Sequence, residues 1–368
     1  MRAPTICRAA GAAVLLALGS ARAAAAQPCS TPYLVQHTFT GGGKQTEWML
    51  CWQTPTSWGL VITAAFFRPA PTRPWIRVFW DARVSEIFVP YHNGVRFYDL
   101  TDYIKGPETL GAGDCPAAAG GTLLAGVVCK EVHDRGIAWK SHTAVRRGQE
   151  LVLWGSFKAV NYRYLIRWTF RDDGVVLGEM AATGSNLPWN WPVSHTHDAM
   201  WRLDIDLNGW AGDNVHRTVH AEVGTGASDT AVPVASEQPL DWSATEFTHL
   251  HVFDGGLKNG RGSVTGYMLM PVRTGSSRHD EAWTGHDAWV TRYDPSEMRP
   301  RFLPHYVAPA QSTASTDVVV WYWGPLHHMY RDEDGNADGG EFEGVAQTMW
   351  TGFILKPQNL FDGPPFYP

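Results

Sequence analysis

Residues 158–176, "KAVNYRYLIRWTFRDDGVV", read as a β-hairpin: two aromatic-rich apolar runs flank the turn signal Asp172-Asp173-Gly174. Outward from it, runs of the same kind recur: "GLVITAAFF", "WIRVFW", "SEIFVPY", "ELVLWGSF", "VTGYMLM" and "DVVVWYW". Turn clusters such as "HNG", "LNG" and "KNGRG" separate them. That punctuation predicts an all-β, mainly antiparallel fold, a large β-sandwich or a barrel. The 37 Gly and 24 Pro then mark turns between strands and not disorder. Segments 107–122 and 222–240 are expected to be long loops. Within the hairpin, Asn161-Tyr162-Arg163-Tyr164 is expected to interrupt the alternation of the strand.

A chain of 368 residues, 44% of them hydrophobic, can bury a substantial core, either as one large β-rich domain or as two smaller ones. A net charge of −6 and the lack of any long Lys/Arg run exclude the electrostatic footprint of a nucleic-acid partner. At the N-terminus, Arg2 and Arg8 precede or begin an apolar run from Ala9 to Leu18, and small residues follow. Residues 1–27 therefore read as a secretory signal peptide, too short and wrongly flanked to span a membrane. No later segment approaches a span, so the expected location is secreted or periplasmic. Outside the signal, Cys29, Cys51, Cys115 and Cys129 make an even set in an exported chain, which favours two disulfides over a redox or metal role. The expected pairs are Cys115 with Cys129 and Cys29 with Cys51. A short lead-in, 28–45, would precede a single domain over 46–368.

Chemistry enters at "SHTHDAMWRLDIDLNG". On a strand, side chains two apart share a face, so His195 and His197 could reach one metal. "THLHVF" offers the same spacing at His249 and His251, and only a third ligand can decide between the pairs. "STDVVVWYWGPLHHMYRDEDG" supplies His327 and His328 directly after an apolar strand. Imidazole-only sets suit copper and zinc.

Together these stretches resemble the catalytic domain of the copper amine oxidases. The family's Asn-Tyr-Asp/Glu-Tyr motif, whose first tyrosine becomes the quinone cofactor topaquinone, is similar to Asn161-Tyr162-Arg163-Tyr164 here. His195, His197 and the "RLD" at 202–204 match the copper-binding His-x-His strand. "DVVVW" from Asp317 matches the strand leading to the third copper histidine, and "SEIFVPY", "EMAATG", "GYMLMP", "HDAWVTRYDPSE" and "FILKPQNLFD" keep the family's order from about Trp52 to the C-terminus. Counting from Asp317 without gaps favours His328 as third ligand, whereas the Gly-x-x-His reading of "GPLH" selects His327. Asp99, in "RFYDLTDYI", resembles the family's catalytic aspartate. Asp204, Asp206 and Asp317 resemble carboxylates that bind calcium beside the copper strands.

The resemblance implies copper- and topaquinone-dependent oxidation of a primary amine by dioxygen to an aldehyde, ammonia and hydrogen peroxide, in a homodimer. Arg163, where the family carries an acid, departs from the pattern. It is expected either to pair with a local acid, to favour a substrate bearing a carboxylate, or to point outward from its strand. A second departure is the short N-terminal region, since family members usually carry further domains there. Two rivals keep the sandwich without this chemistry. In one, the 18 Trp, with "NLPWNWPVSH" beside the metal strand, form a stacking surface for ligands. In the other, the metal enzyme uses an unmodified Tyr162.

Overall fold

The computed structural model describes residues 28–41, 45–187, 189, 193–223, 226–272, 279–334 and 343–365. The segment read as a signal peptide lies outside these residues. Among them, the chain forms two large sheets and one two-stranded ladder, and every strand pair is antiparallel. The nine-stranded sheet runs in the order Leu34–Phe39, Thr46–Gln53, Val61–Arg68, Ile76–Pro90, Asp198–Ile205, Val318–Gly324, Ala288–Arg292, Gln238–Leu240, with Arg96–Tyr98 paired to Ile76–Pro90. The ten-stranded sheet has the hairpin strands Tyr162–Arg171 and Val176–Asn186 near its middle, between Glu343–Gln358 and Val145–Ala159. Its far edge, Asp213–Val223 with Gly226–Pro233, corrects the expected loop over 222–240. "GASDTAVP" is small and polar with an exposed outer face, so it carries no apolar alternation to read.

Between the sheets the core is aromatic. Trp48, Trp52, Trp168 and Trp201 are buried there, with Trp168 meeting Trp201 edge-on at a centroid distance of 5.3 Å, while Trp321 and Trp323 are buried in a second cluster with Trp283 and Trp289. Of the seventeen described indoles eight are buried and six are half-buried, which leaves Trp80, Trp189 and Trp210 exposed, and of these Trp189 lies beside the site. Disulfides Cys29–Cys51 and Cys115–Cys129 tie the segment before the first strand to the second strand and the loop after residue 107 to the strand Val128–Lys140. No helix among the described residues is long and apolar enough to cross a membrane.

The decisive stretch holds two turns. Beyond Asp172-Asp173-Gly174, where the backbone reverses with Gly174 at φ +83°, a tight turn at Val160-Asn161 joins Ala159 to Tyr162 across the ladder. Tyr162 therefore opens its strand, and the alternation is not interrupted: Tyr162, Tyr164, Ile166 and Trp168 face inward, while Arg163, Leu165 and Arg167 face outward. The turn is held by Asn161, whose Nδ2 donates to Ser185 O at 2.7 Å. It also lies so close to Gly184 that a Cβ there would sit 2.5 Å from Asn161 O, at a φ of +130°. That close approach explains the glycine ending "EMAATG" and fixes where Tyr162 begins.

Candidate active site

Three elements bring the imidazoles together. His195 and His328 are cross-strand partners in the two-stranded ladder, and His197 follows two residues after His195, its N–H bonded to Leu326 O at 2.8 Å. The ligand atoms of His195, His197 and His328 lie within 4.8 Å of one another, and all three residues are buried. His195 Nε2 is 2.9 Å from His197 Nε2. His327 is exposed on the other face of its strand. His249 and His251 lie on Phe247–Lys258 in the ten-stranded sheet and are outside this converging group.

Tyr162 points into the same space. Its hydroxyl is 2.9 Å from His328 Nδ1 and 3.2 Å from His195 Nε2. Burial drives His195 down to about 3, with His328 adding repulsion, and holds His197 well below and His328 below the usual imidazole value. Neutral imidazoles with free lone pairs are what a metal requires. The residues present therefore fit a borderline divalent ion such as copper. The Tyr162 phenol, buried and surrounded by Tyr91, Asp99 and Asp334, is held protonated far above the ordinary tyrosine range.

One strand step on, Tyr164 links two further groups. Its hydroxyl donates to Asp99 Oδ2 at 2.5 Å and lies 2.8 Å from His197 Nδ1. With His197 Nε2 turned toward the other imidazoles, its single N–H sits on Nδ1 and donates to the Tyr164 oxygen. Asp99 begins a short helical turn directly after Arg96–Tyr98, and its carbonyl closes that turn by accepting from Ile104 N. Its side chain, however, is buried in the core, and Oδ1 has no partner. Desolvation pushes its carboxyl up to about 7, against the lowering effect of the Tyr164 hydrogen bond.

Arg163 leaves this space altogether. Its side chain lies outward, 43% exposed, with Nε 3.3 Å from Glu108 Oε1. Glu108 also accepts from Ser156 Oγ at 2.6 Å, so the charge reversal after Tyr162 is answered by a local acid on the far face of the sheet.

Beyond the imidazoles, Asp204, Asp206 and Asp317 are neighbours near the ends of adjacent strands, joined by Asp213. Both oxygens of Asp204, and one oxygen each of Asp206 and Asp317, are buried without a partner, and Asp213 is buried beside the backbone N–H of Leu207. Burial and mutual repulsion push Asp204 up to about 8, Asp213 to about 9 and Asp317 to about 6. Arg77 pairs with the other oxygen of Asp206. These carboxylates are not drawn into a ligand group of the kind the imidazoles form.

Sequence reasoning missed Tyr164, Tyr91, Asp213 and Asp334. Period-2 spacing from Tyr162 could have found Tyr164, and Tyr91 stacks near His195 with centroids 4.9 Å apart from the "FVPY" strand end. Asp213 and Asp334 carry no local signal.

Comparison with known proteins adds the family. Residues 44–367 match the family model described as copper amine oxidase, enzyme domain. Among curated relatives, the copper-containing amine oxidase gamma 1 of Arabidopsis thaliana is 23% identical over 88% of this chain and 56% of its own length. The primary amine oxidase of Klebsiella aerogenes is 23% identical over 61% of this chain and 36% of its own. Among solved structures, the copper-containing benzylamine oxidase from Hansenula polymorpha superposes with a TM-score of 0.69 at 17% identity, covering 91% of this chain and 62% of that one. The Aspergillus nidulans amine oxidase gives 0.68 at 18% identity, covering 87% and 52%. At such identities the structures speak for the fold, and the chain spans between 36% and 62% of the length of these relatives. A match running from residue 44 to residue 367 leaves little of this sequence outside it, and the chain belongs to the copper amine oxidase family through its enzyme domain.

Proposed function

We propose that this protein oxidises a primary amine with dioxygen and water to an aldehyde, ammonia and hydrogen peroxide, using copper and a topaquinone derived from Tyr162. The observation that carries the reading is the Tyr162 hydroxyl within 2.9 Å of His328 Nδ1 and 3.2 Å of His195 Nε2, in a nest of buried neutral imidazoles. His195, His197 and His328 would hold the copper. When bound, the metal supports oxidation of the adjacent tyrosine, and the resulting quinone supplies an electrophilic carbonyl and an electron sink that no ordinary side chain offers.

The remaining roles belong to the chain. Asp99 is the base for the amine's α-proton: a carboxyl near 7 both accepts and releases a proton at neutral pH. Tyr164 orients it by donating to Oδ2 and leaves Oδ1 free. Asn161 anchors the turn that sets the start of the Tyr162 strand. The two-sheet core keeps bulk water from Tyr162, which is 2% exposed. Arg163, on the outward face, takes no part.

Asp204, Asp206 and Asp317, with Asp213 beside them, would be satisfied by a hard cation such as calcium, since the orphaned oxygens of those three are costly to leave unpaired in the interior. The disulfides indicate an oxidising compartment. Together with the signal-like N-terminus they support secretion or periplasmic export, and family membership supports a homodimer.

The test is spectroscopic. Metal-free mature chain is given Cu2+ in air and its visible spectrum recorded with and without phenylhydrazine. The expected result is a quinone band that shifts with the reagent and is missing in Tyr162→Phe. Copper uptake with no band in the unaltered chain would refute the topaquinone reading.

A further inference from the structure

The three imidazoles do not present the same atom. His195 and His197 bring Nε2 to the shared space, whereas His328 brings Nδ1. A neutral imidazole has one N–H, so each ligand must keep that hydrogen on the nitrogen facing away. For His195 that nitrogen lies 3.5 Å from Val193 O, and for His197 it lies 2.8 Å from the Tyr164 hydroxyl. For His328 it is Nε2, and the group facing it at 3.4 Å is a carboxylate oxygen, Oδ2 of Asp334.

Asp334 is fully buried at the end of the short turn Asp332–Asp334. Its Oδ1 accepts from Arg331 at 2.5 Å, and its backbone N–H bonds to Arg331 O at 3.1 Å. Oδ2 has no aligned hydrogen-bond partner, which is an expensive state for a carboxylate oxygen with no access to water. The imidazole N–H of His328 is the donor that would satisfy it, and the carboxylate in turn selects the tautomer with a free lone pair on Nδ1.

We propose that Asp334 is a positioning residue of the metal centre, one that holds His328 with Nδ1 toward the metal and raises its basicity through Nε2. This rests on the reading of the three histidines as a copper site. Neutral partners serve His195 and His197, so Asp334 gives one ligand of the three an anionic support. Removing such a support commonly weakens metal binding by about 10- to 100-fold.

The experiment measures Cu2+ affinity of the metal-free full chain under argon, by competition with a chelator, together with the Cu2+ EPR spectrum. Unaltered protein is compared with Asp334→Asn, Arg331→Met and His328→Ala. Asp334→Asn keeps the side-chain shape, so it is expected to fold with an unchanged metal-free melting temperature. Its copper affinity should fall about 10- to 100-fold with an altered EPR hyperfine pattern. Arg331→Met removes the other partner of Asp334 and should change affinity by no more than about threefold, since the His328 contact is left in place. An Asp334→Asn protein with native affinity and native EPR overturns the proposal. So does an Arg331→Met protein as weak as Asp334→Asn, because the loop and not the imidazole contact would then be responsible. If His328→Ala binds copper as the unaltered chain does, the copper-site reading itself fails, an outcome separate from the other two.

Discussion

Replacing Tyr164 with Phe deletes a single oxygen placed between Asp99, the proposed acid–base carboxylate, and the imidazole of His197, a proposed metal ligand. Asp99 is fully enclosed, and its carboxyl near 7 reflects burial opposed by the Tyr164 hydrogen bond. A hydrogen bond to an ionised group contributes about 1.5–3 kcal/mol, and one pKa unit is about 1.4 kcal/mol, so losing it raises the Asp99 pKa by roughly 1–2 units. The base works in its ionised form. The acid limb of kcat/KM for a primary amine, centred near 7 in the unaltered enzyme, should therefore move to roughly 8–9 in Tyr164→Phe. At pH 7 the ionised fraction drops from about a half to between about a tenth and a hundredth, so kcat/KM should fall about 5- to 50-fold and recover as pH approaches 10. The assay is initial-rate peroxide release from pH 5 to 10, with Asp99→Asn as the variant expected to be inactive throughout. An acid limb that stays near 7, or a loss equal at every pH, would show that Tyr164 does not tune Asp99 and would remove the argument for Asp99 as the base.

Other outcomes follow from the same geometry. His328→Ala should abolish stoichiometric Cu2+ binding while His327→Ala, on the exposed face, keeps it, as read by equilibrium dialysis. Arg163→Asp should leave the preference between acidic and neutral amines unchanged and cost less than about 1 kcal/mol in a denaturant titration, because the lost pair with Glu108 is partly exposed. Asp204, Asp213 and Asp317 have folded-state pKa values raised above those of the unfolded chain, so their stabilising protonation is complete below about pH 4 and is lost as pH rises through about 6 to 9. The metal-free melting temperature should therefore decline across that window, and millimolar Ca2+ should restore it most at the alkaline end; a profile that is flat and indifferent to Ca2+ refutes the cation reading.

The fold was legible because strand periodicity is local. "NYRYLIRWTF" declares its two faces within ten residues, and the only step missed there was the turn at Val160-Asn161, which moves Tyr162 to the start of a strand and restores the alternation. The same locality made His195 and His197 visible as a pair. It could not choose between His327 and His328, because the choice depends on ladder register: His328 faces His195 across two residues of pairing, and its neighbour faces Thr196. The edge hairpin over 213–233 escaped because its outer strand buries no apolar stripe.

Residues that support others, and do not themselves meet the ligand or substrate, are the hardest to read from sequence. Asp99 and Tyr164 are 65 positions apart, and Tyr164 and His197 are 33 apart, so no window of sequence holds the chain from carboxylate to phenol to imidazole. Asp334 is nearer to its histidine, yet "RDED" offers three acids in a row and nothing local says which one is turned inward. The structure decides by burial: Asp334 is fully enclosed, while Asp332 and Glu333 are not. Arg163 shows the converse. Its charge looks disruptive beside the proposed cofactor precursor Tyr162, but on a strand adjacency in sequence means opposite faces in space. The next residue on the Tyr162 face is Tyr164, and that is the position where an introduced charge would have broken the site.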